Sequence, residues 1–168
     1  AGAGQGRRLL DWPAVRGLPW DVLLLLGGGF CIAAGFKESG LDLLIGELLG
    51  PALSSLPPLL LMLLLVTAMS FLTEITSNTA TTQVLLPVLG SASVAAGLDP
   101  RLALMPATIA ASCAFMLPVA TPPNAVVFSS GHVRMPDMAR VGLGFNLLLV
   151  LLIVGLFELW VRPLLGID

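Results

Sequence analysis

Residues 111–128 read ASCAFMLPVATPPNAVVF. The stretch begins as an apolar helix, breaks at Thr121-Pro122-Pro123-Asn124, and resumes as an apolar run from Ala125 to Phe128. In hydrocarbon a backbone group freed by such a break costs several kcal/mol unless protein or a water-filled cavity satisfies it. A break at membrane depth therefore predicts a cavity lined by protein, with freed carbonyls and amides available to a ligand.

The composition places that break in a membrane. The chain has 168 residues, 57% hydrophobic and 11% charged, whereas soluble domains carry about 25% charged residues. This excludes a soluble domain, and the hydrophobicity excludes disorder. A net charge of −2 without a basic cluster gives no footing for a nucleic-acid partner. Cys31 and Cys113 lie in apolar runs and read as small buried hydrophobes rather than a disulfide or metal pair. The opening AGAGQGRR has no apolar core before a cleavage site and reads as a loop, so the chain looks like a piece of something longer.

Along the chain, residues 1–17 form a loop lead. A first span is predicted over 18–36, with Trp20 as an interfacial anchor and Gly27-Gly28-Gly29 suited to close helix packing. Residues 41–50, with Asp42 and Glu47 among leucines, are too short to span and read as an interfacial amphipathic helix. A hairpin is predicted over 53–97 with its tip at 76–80, then the broken helix over 101–131, a charged loop, and a last span over 141–161. Arg7, Arg8, Arg16, Arg134 and Arg140 fall on one side and Lys37, Arg101 and Arg162 on the other. That excess places the N-terminus in the cytoplasm.

The tip lies in a polar knot, residues 73–82, where Thr73, Thr76, Ser77, Asn78, Thr79, Thr81 and Thr82 crowd together. A plain solvent loop is the simpler reading, but Gly, Pro and Lys are missing from it. Ser77-Asn78-Thr79 is good N-cap chemistry for a following helix, whose amides and dipole favour an anion. Carbonyls left unpaired at the end of the preceding helix suit a hard cation. The broken helix repeats this polarity. Pro118 and Pro122-Pro123 free carbonyls before Thr121, while Asn124 and the amides after it face an oxyanion. Two interrupted apolar elements of this kind point to a discontinuous-helix secondary transporter. Glu74 is the acid within the hairpin region. It is a functional candidate by its place in the membrane, and its alternatives are bonding to nearby hydroxyls or amides or ligating Na⁺ or a proton. His132 reads as solvated and the methionines as packing or lipid-facing residues. No constellation points to an enzyme.

At these residues the chain resembles the divalent anion/sodium symporters, the sodium-coupled dicarboxylate, citrate and sulfate carriers. ASCAFMLPVATPPNAVV resembles that family's signature, FLTEITSNTATT its Ser-Asn-Thr hairpin tip, and PWDVLLLLGGGFCIAAGFKESGL the helix before that hairpin. The resemblance implies an all-α membrane protein, with residues 18–168 as one half of an inverted-repeat secondary transporter that carries a re-entrant hairpin and a broken transmembrane helix. It matches the C-terminal repeat without its first helix, so the N-terminal repeat is a missing partner. It further implies that Ser77, Asn78, Thr79, Thr121 and Pro122 contact the carboxylates of a small anionic substrate. Thr73, Asn78 and the backbone of Thr76 and Ala120 would hold one Na⁺, the coupling ion. A multi-pass place in the lipid bilayer of the cell (inner) membrane, alternating access and a homodimer follow as expectations. The competing readings are an anion exchanger of the same fold without Na⁺ coupling and a non-transporting membrane scaffold subunit.

Overall fold

The computed structural model describes residues 12–18 and 20–167, and among them there are helices and no strands. The N-terminal part of the expected loop lead, residues 1–11, lies outside the described residues. Its end differs from the expectation, because Trp12–Arg16 forms a short helix, α1, held to the next element where Trp20 Nε1 donates to Val15 O at 2.8 Å. Helix α2, Trp20–Ser39, has 20 residues, about 30 Å at roughly 1.5 Å per residue. Gly40 turns the chain with a φ of 72°, a left-handed value that favours glycine. Helix α3 follows as Leu41–Ser54, longer than the expected 41–50.

Helix α3 packs on α5, Asn78–Ala95, through small residues spaced by a helical turn. A Cβ on Gly46 would lie 3.1 Å from Ser91 O, and one on Gly50 would lie 3.3 Å from the Ala95 carbonyl carbon. Two backbones approach this closely only where side chains are absent, as in membrane helix pairs. On the same face, one turn earlier, Asp42 Oδ2 accepts from Ser91 Oγ at 2.9 Å. Helix α5 ends where Leu98 N donates to Ser93 O and Gly97 N to Val94 O, with Gly97 at φ 70°. That is a glycine C-cap, and the expected Asp99-Pro100 turn follows it into α6, Arg101–Ala110.

The core is built elsewhere, from α4 (Pro58–Leu72), α6 and α8 (Met135–Leu156). Met62, Val66 and Met69 meet Leu102, Ala107 and Ala110, and Val150, Ile153, Val154 and Phe157 close the third side. Helix α8 starts earlier than the expected span, taking Asp137 and Arg140 into its first turns, because Arg134 pairs with Asp137 at 2.8 Å at its entry. It runs into a π-helical turn, Phe157–Val161, and α9, Arg162–Leu165, where Arg162 pairs with Glu158 at 3.0 Å. Among the described residues one helical run, Met135–Leu165, is long and apolar enough to cross a membrane, and Pro58–Leu72 and Arg101–Ala110 are shorter apolar helices. Its Leu147, Leu148, Leu151 and Leu152 face outward, an apolar surface suited to lipid. Cys31 is exposed rather than buried, and both cysteines are free.

Candidate functional site

The broken helix is open over a longer stretch than its prolines suggest. Helix α6 ends at Ala110 and α7 begins at Pro122, ending at Ser129. Residues 111–121 are therefore the break, while Pro122, Pro123 and Asn124 form the first turn of α7. Proline suits that place, since its φ is preset and the first helical N–H groups have no intrahelical partner.

The reason α6 stops early is Glu74. Its carboxylate, 3% exposed, reaches across from the turn after α4 into the unwound segment. Oε1 accepts from Phe115 N at 2.7 Å and Met116 N at 2.9 Å, and Oε2 from Met116 N at 3.1 Å and Leu117 N at 3.0 Å. Asn146 Nδ2 of α8 donates to Oε1 at 2.6 Å. Successive amides turned to one point form a nest for an anion, and here the anion is the chain's own. Glycine at 142 lets α8 approach the same segment, since a Cβ there would lie 2.6 Å from Met116 Cα. Ser70 Oγ donates to Cys113 O at 2.8 Å and anchors its start. Sequence reasoning left Glu74 undecided and missed Gly142 and Asn146. The available signal was a lone carboxylate and a lone amide inside apolar spans.

At the expected tip, the turn between α4 and α5, Thr73 Oγ1 donates to Met69 O and Ser70 O at 3.1 and 3.0 Å, and Thr76 Oγ1 to Leu72 O at 2.7 Å. The carbonyls expected to stand free at the end of α4 are thus capped by its own threonines. The free carbonyls lie further on. Among the described residues neither the Thr76 nor the Ala120 carbonyl accepts a hydrogen bond. Asn78 Oδ1 is buried there without a partner.

The two helix starts differ in what they offer. Ser77 caps α5, accepting from Ala80 N at 3.5 Å, and the amides of Asn78 and Thr79 stay free among the described residues. Thr121 caps α7, accepting from Asn124 N at 3.4 Å. Because Pro122 and Pro123 have no N–H, α7 contributes a dipole and the Thr121 hydroxyl rather than a row of donors.

These elements share one cavity of about 450 Å³, lined by Ile75, Thr76, Ser77, Asn78, Thr79, Val119, Ala120, Thr121 and Pro122. It brings together most of the residues expected to serve substrate and Na⁺. Two stand apart from the lining. Thr73 is fully buried behind the tip. Asn124, expected to face an oxyanion, turns inward, its Nδ2 donating to Ala114 O and Leu117 O at 3.0 Å each. A larger groove, about 1040 Å³, between α2, α3 and α5 is lined mainly by apolar residues, with Lys37, Asp42, Glu47 and Ser91 among them.

The chain is similar to known proteins over nearly its whole length. Residues 7–167 match the family described as the sodium:sulfate symporter transmembrane region. The chain is 47% identical over 162 residues to the sodium-dependent dicarboxylate transporter SdcS of Staphylococcus saprophyticus, covering 96% of this chain and 31% of that protein. It is equally 47% identical over 163 residues to the transporter of the same name from Staphylococcus aureus strain USA300, with the same coverage. The chain thus spans 31% of the length of these relatives. Both are transporters and neither is an enzyme. With the family match running over nearly all its length, this chain belongs to the sodium:sulfate symporter family, whose matched region is transmembrane.

Proposed function

We propose that this chain is one repeat of a sodium-coupled secondary transporter of divalent anions, with dicarboxylates as the substrate class and the tip cavity as its half of the binding site. The observation that carries the reading is the joining of two helix N-termini at one cavity whose lining includes Asn78, a residue with a buried Oδ1 that has no partner. The free amides of Asn78 and Thr79 and the hydroxyls of Ser77, Thr79 and Thr121 would bind the anion, with Pro122 and the α7 dipole behind them. Asn124 would serve indirectly, by holding the Leu117 carbonyl and so the path to Thr121. Asn78 Oδ1 and the carbonyls of Thr76 and Ala120 are hard oxygen donors suited to Na⁺, with Thr73 buried behind the tip rather than among them. Na⁺ would supply the charge compensation that two carboxylates need in a low-dielectric site.

The hairpin supports a re-entrant placement. Helix α4 has 15 residues, about 22 Å at roughly 1.5 Å per residue, short of the roughly 30 Å hydrocarbon core. The rest of the substrate shell would come from an inverted partner repeat in a multi-pass protein of the cell membrane, assembled as a homodimer and working by alternating access. Vesicles containing a full-length parent protein test this. An inward Na⁺ gradient should drive succinate uptake, with citrate and sulfate as competitors. Succinate exchange indifferent to Na⁺ would support the exchanger instead, and no flux at all the scaffold.

A further inference from the structure

Glu74 is absorbed by neither the anion site nor the Na⁺ site above, yet it is the most heavily bonded side chain near them. Backbone amides from Phe115, Met116 and Leu117 and the Asn146 side chain all donate to it. No basic side chain touches it among the described residues. Such surroundings contain only donors, so both oxygens must accept. An amide in its place would turn an NH₂ against N–H groups. The segment it grips leads, within a few residues, to the Ala120 carbonyl and the Thr121 cap. The chain it grips from leads as directly, through Ile75, to Thr76, Ser77 and Asn78.

We propose that Glu74 is a positioning residue for transport. Its carboxylate fixes the unwound segment to the hairpin tip, so that the two halves of the cavity keep one spacing while the protein moves. This rests on the function proposed above. The clamp is third-party to both ligands, and it sets the distance between Asn78 and Ala120 on which a shared cation would depend. Loosening it must therefore weaken Na⁺ and anion together. Loss of a hydroxyl that touches the anion weakens the anion alone.

The test uses a full-length parent with spin labels on cysteines at 75 and 119, exposed positions on opposite walls of the cavity, after Cys31 and Cys113 are replaced. Na⁺-driven succinate uptake is measured beside the inter-label distance distribution. In the Glu74→Gln variant the distribution should broaden, and the succinate KM and the half-saturating Na⁺ concentration should both rise about tenfold or more. Glu74→Asp should restore part of each. Asn146→Ala, which removes one donor and leaves the nest in place, should shift all three readouts the same way by less, and it decides the matter if Glu74→Gln does not fold. Unchanged distances and unchanged saturation constants overturn the proposal, as does a fall in maximal rate alone, which marks a merely structural residue. Absence of Na⁺-driven uptake in the unsubstituted protein would overturn the transport reading, while the distance distributions still judge the clamp.

Discussion

Ser77 and Thr121 are the N-cap residues of two different helices, and both line the same cavity. The starts of α5 and α7 thus bring their N-terminal dipoles to one place. An anion there meets two positive helix ends together with the free amides of only one of them.

Asn78 is the residue at which function and stability should part. Its Oδ1 is buried without a partner, and an unsatisfied buried acceptor costs about 1–3 kcal/mol. Asn78→Ala in a full-length parent should therefore abolish Na⁺-driven uptake while the thermal midpoint stays level or rises. Uptake at the original rate, or a collapse in stability with it, would remove Asn78 from the site.

Thr79 and Thr121 should behave differently from each other. Both hydroxyls are placed on the anion, and a hydrogen bond to a charged group is worth roughly 1.5–3 kcal/mol, so each alanine variant should lose about tenfold or more in succinate affinity. Thr121→Ala additionally loses a helix cap worth about 1 kcal/mol and should melt earlier, whereas Thr79→Ala should not. Equilibrium binding and thermal melts on the same preparations separate the two.

Helix α3 should be sensitive to a single methyl group. Gly46→Ala would put a Cβ 3.1 Å from Ser91 O and 3.4 Å from Ala95 Cβ, which forces the pair apart. Overpacking of this kind costs about 1–3 kcal/mol, so the melting temperature should fall. Gly35→Ala, inside α2 with nothing near its Cβ, should leave it level or raise it slightly.

Local events were legible in the sequence and long-range ones were not. Ser77 announces a helix start because a cap acts within one turn, and the polar knot announced the break between α4 and α5 for the same reason. Thr121 and the two prolines after it, read as the break, instead open α7. The true width of the break was hidden, since residues 111–117 are apolar and carry no breaker. What unwinds them is Glu74, 41 positions from Phe115. Gly142 and Asn146 were hidden likewise, because in an apolar run one glycine and one amide look like packing detail until the partner segment is in place. The early start of α8 rests on the Arg134–Asp137 pair, which does not show in hydrophobic periodicity.

If succinate and Na⁺ meet at the tip cavity, together they should protect a cysteine placed at Val119. Val119 lines that cavity, is 80% exposed, and is assigned to neither ligand. A full-length parent carrying Val119→Cys, with Cys31 and Cys113 replaced, would be labelled with a small membrane-impermeant thiol reagent. Succinate with Na⁺ present should slow the labelling severalfold, and succinate in Na⁺-free medium should leave it unchanged. A rate indifferent to succinate and Na⁺ together would contradict the account.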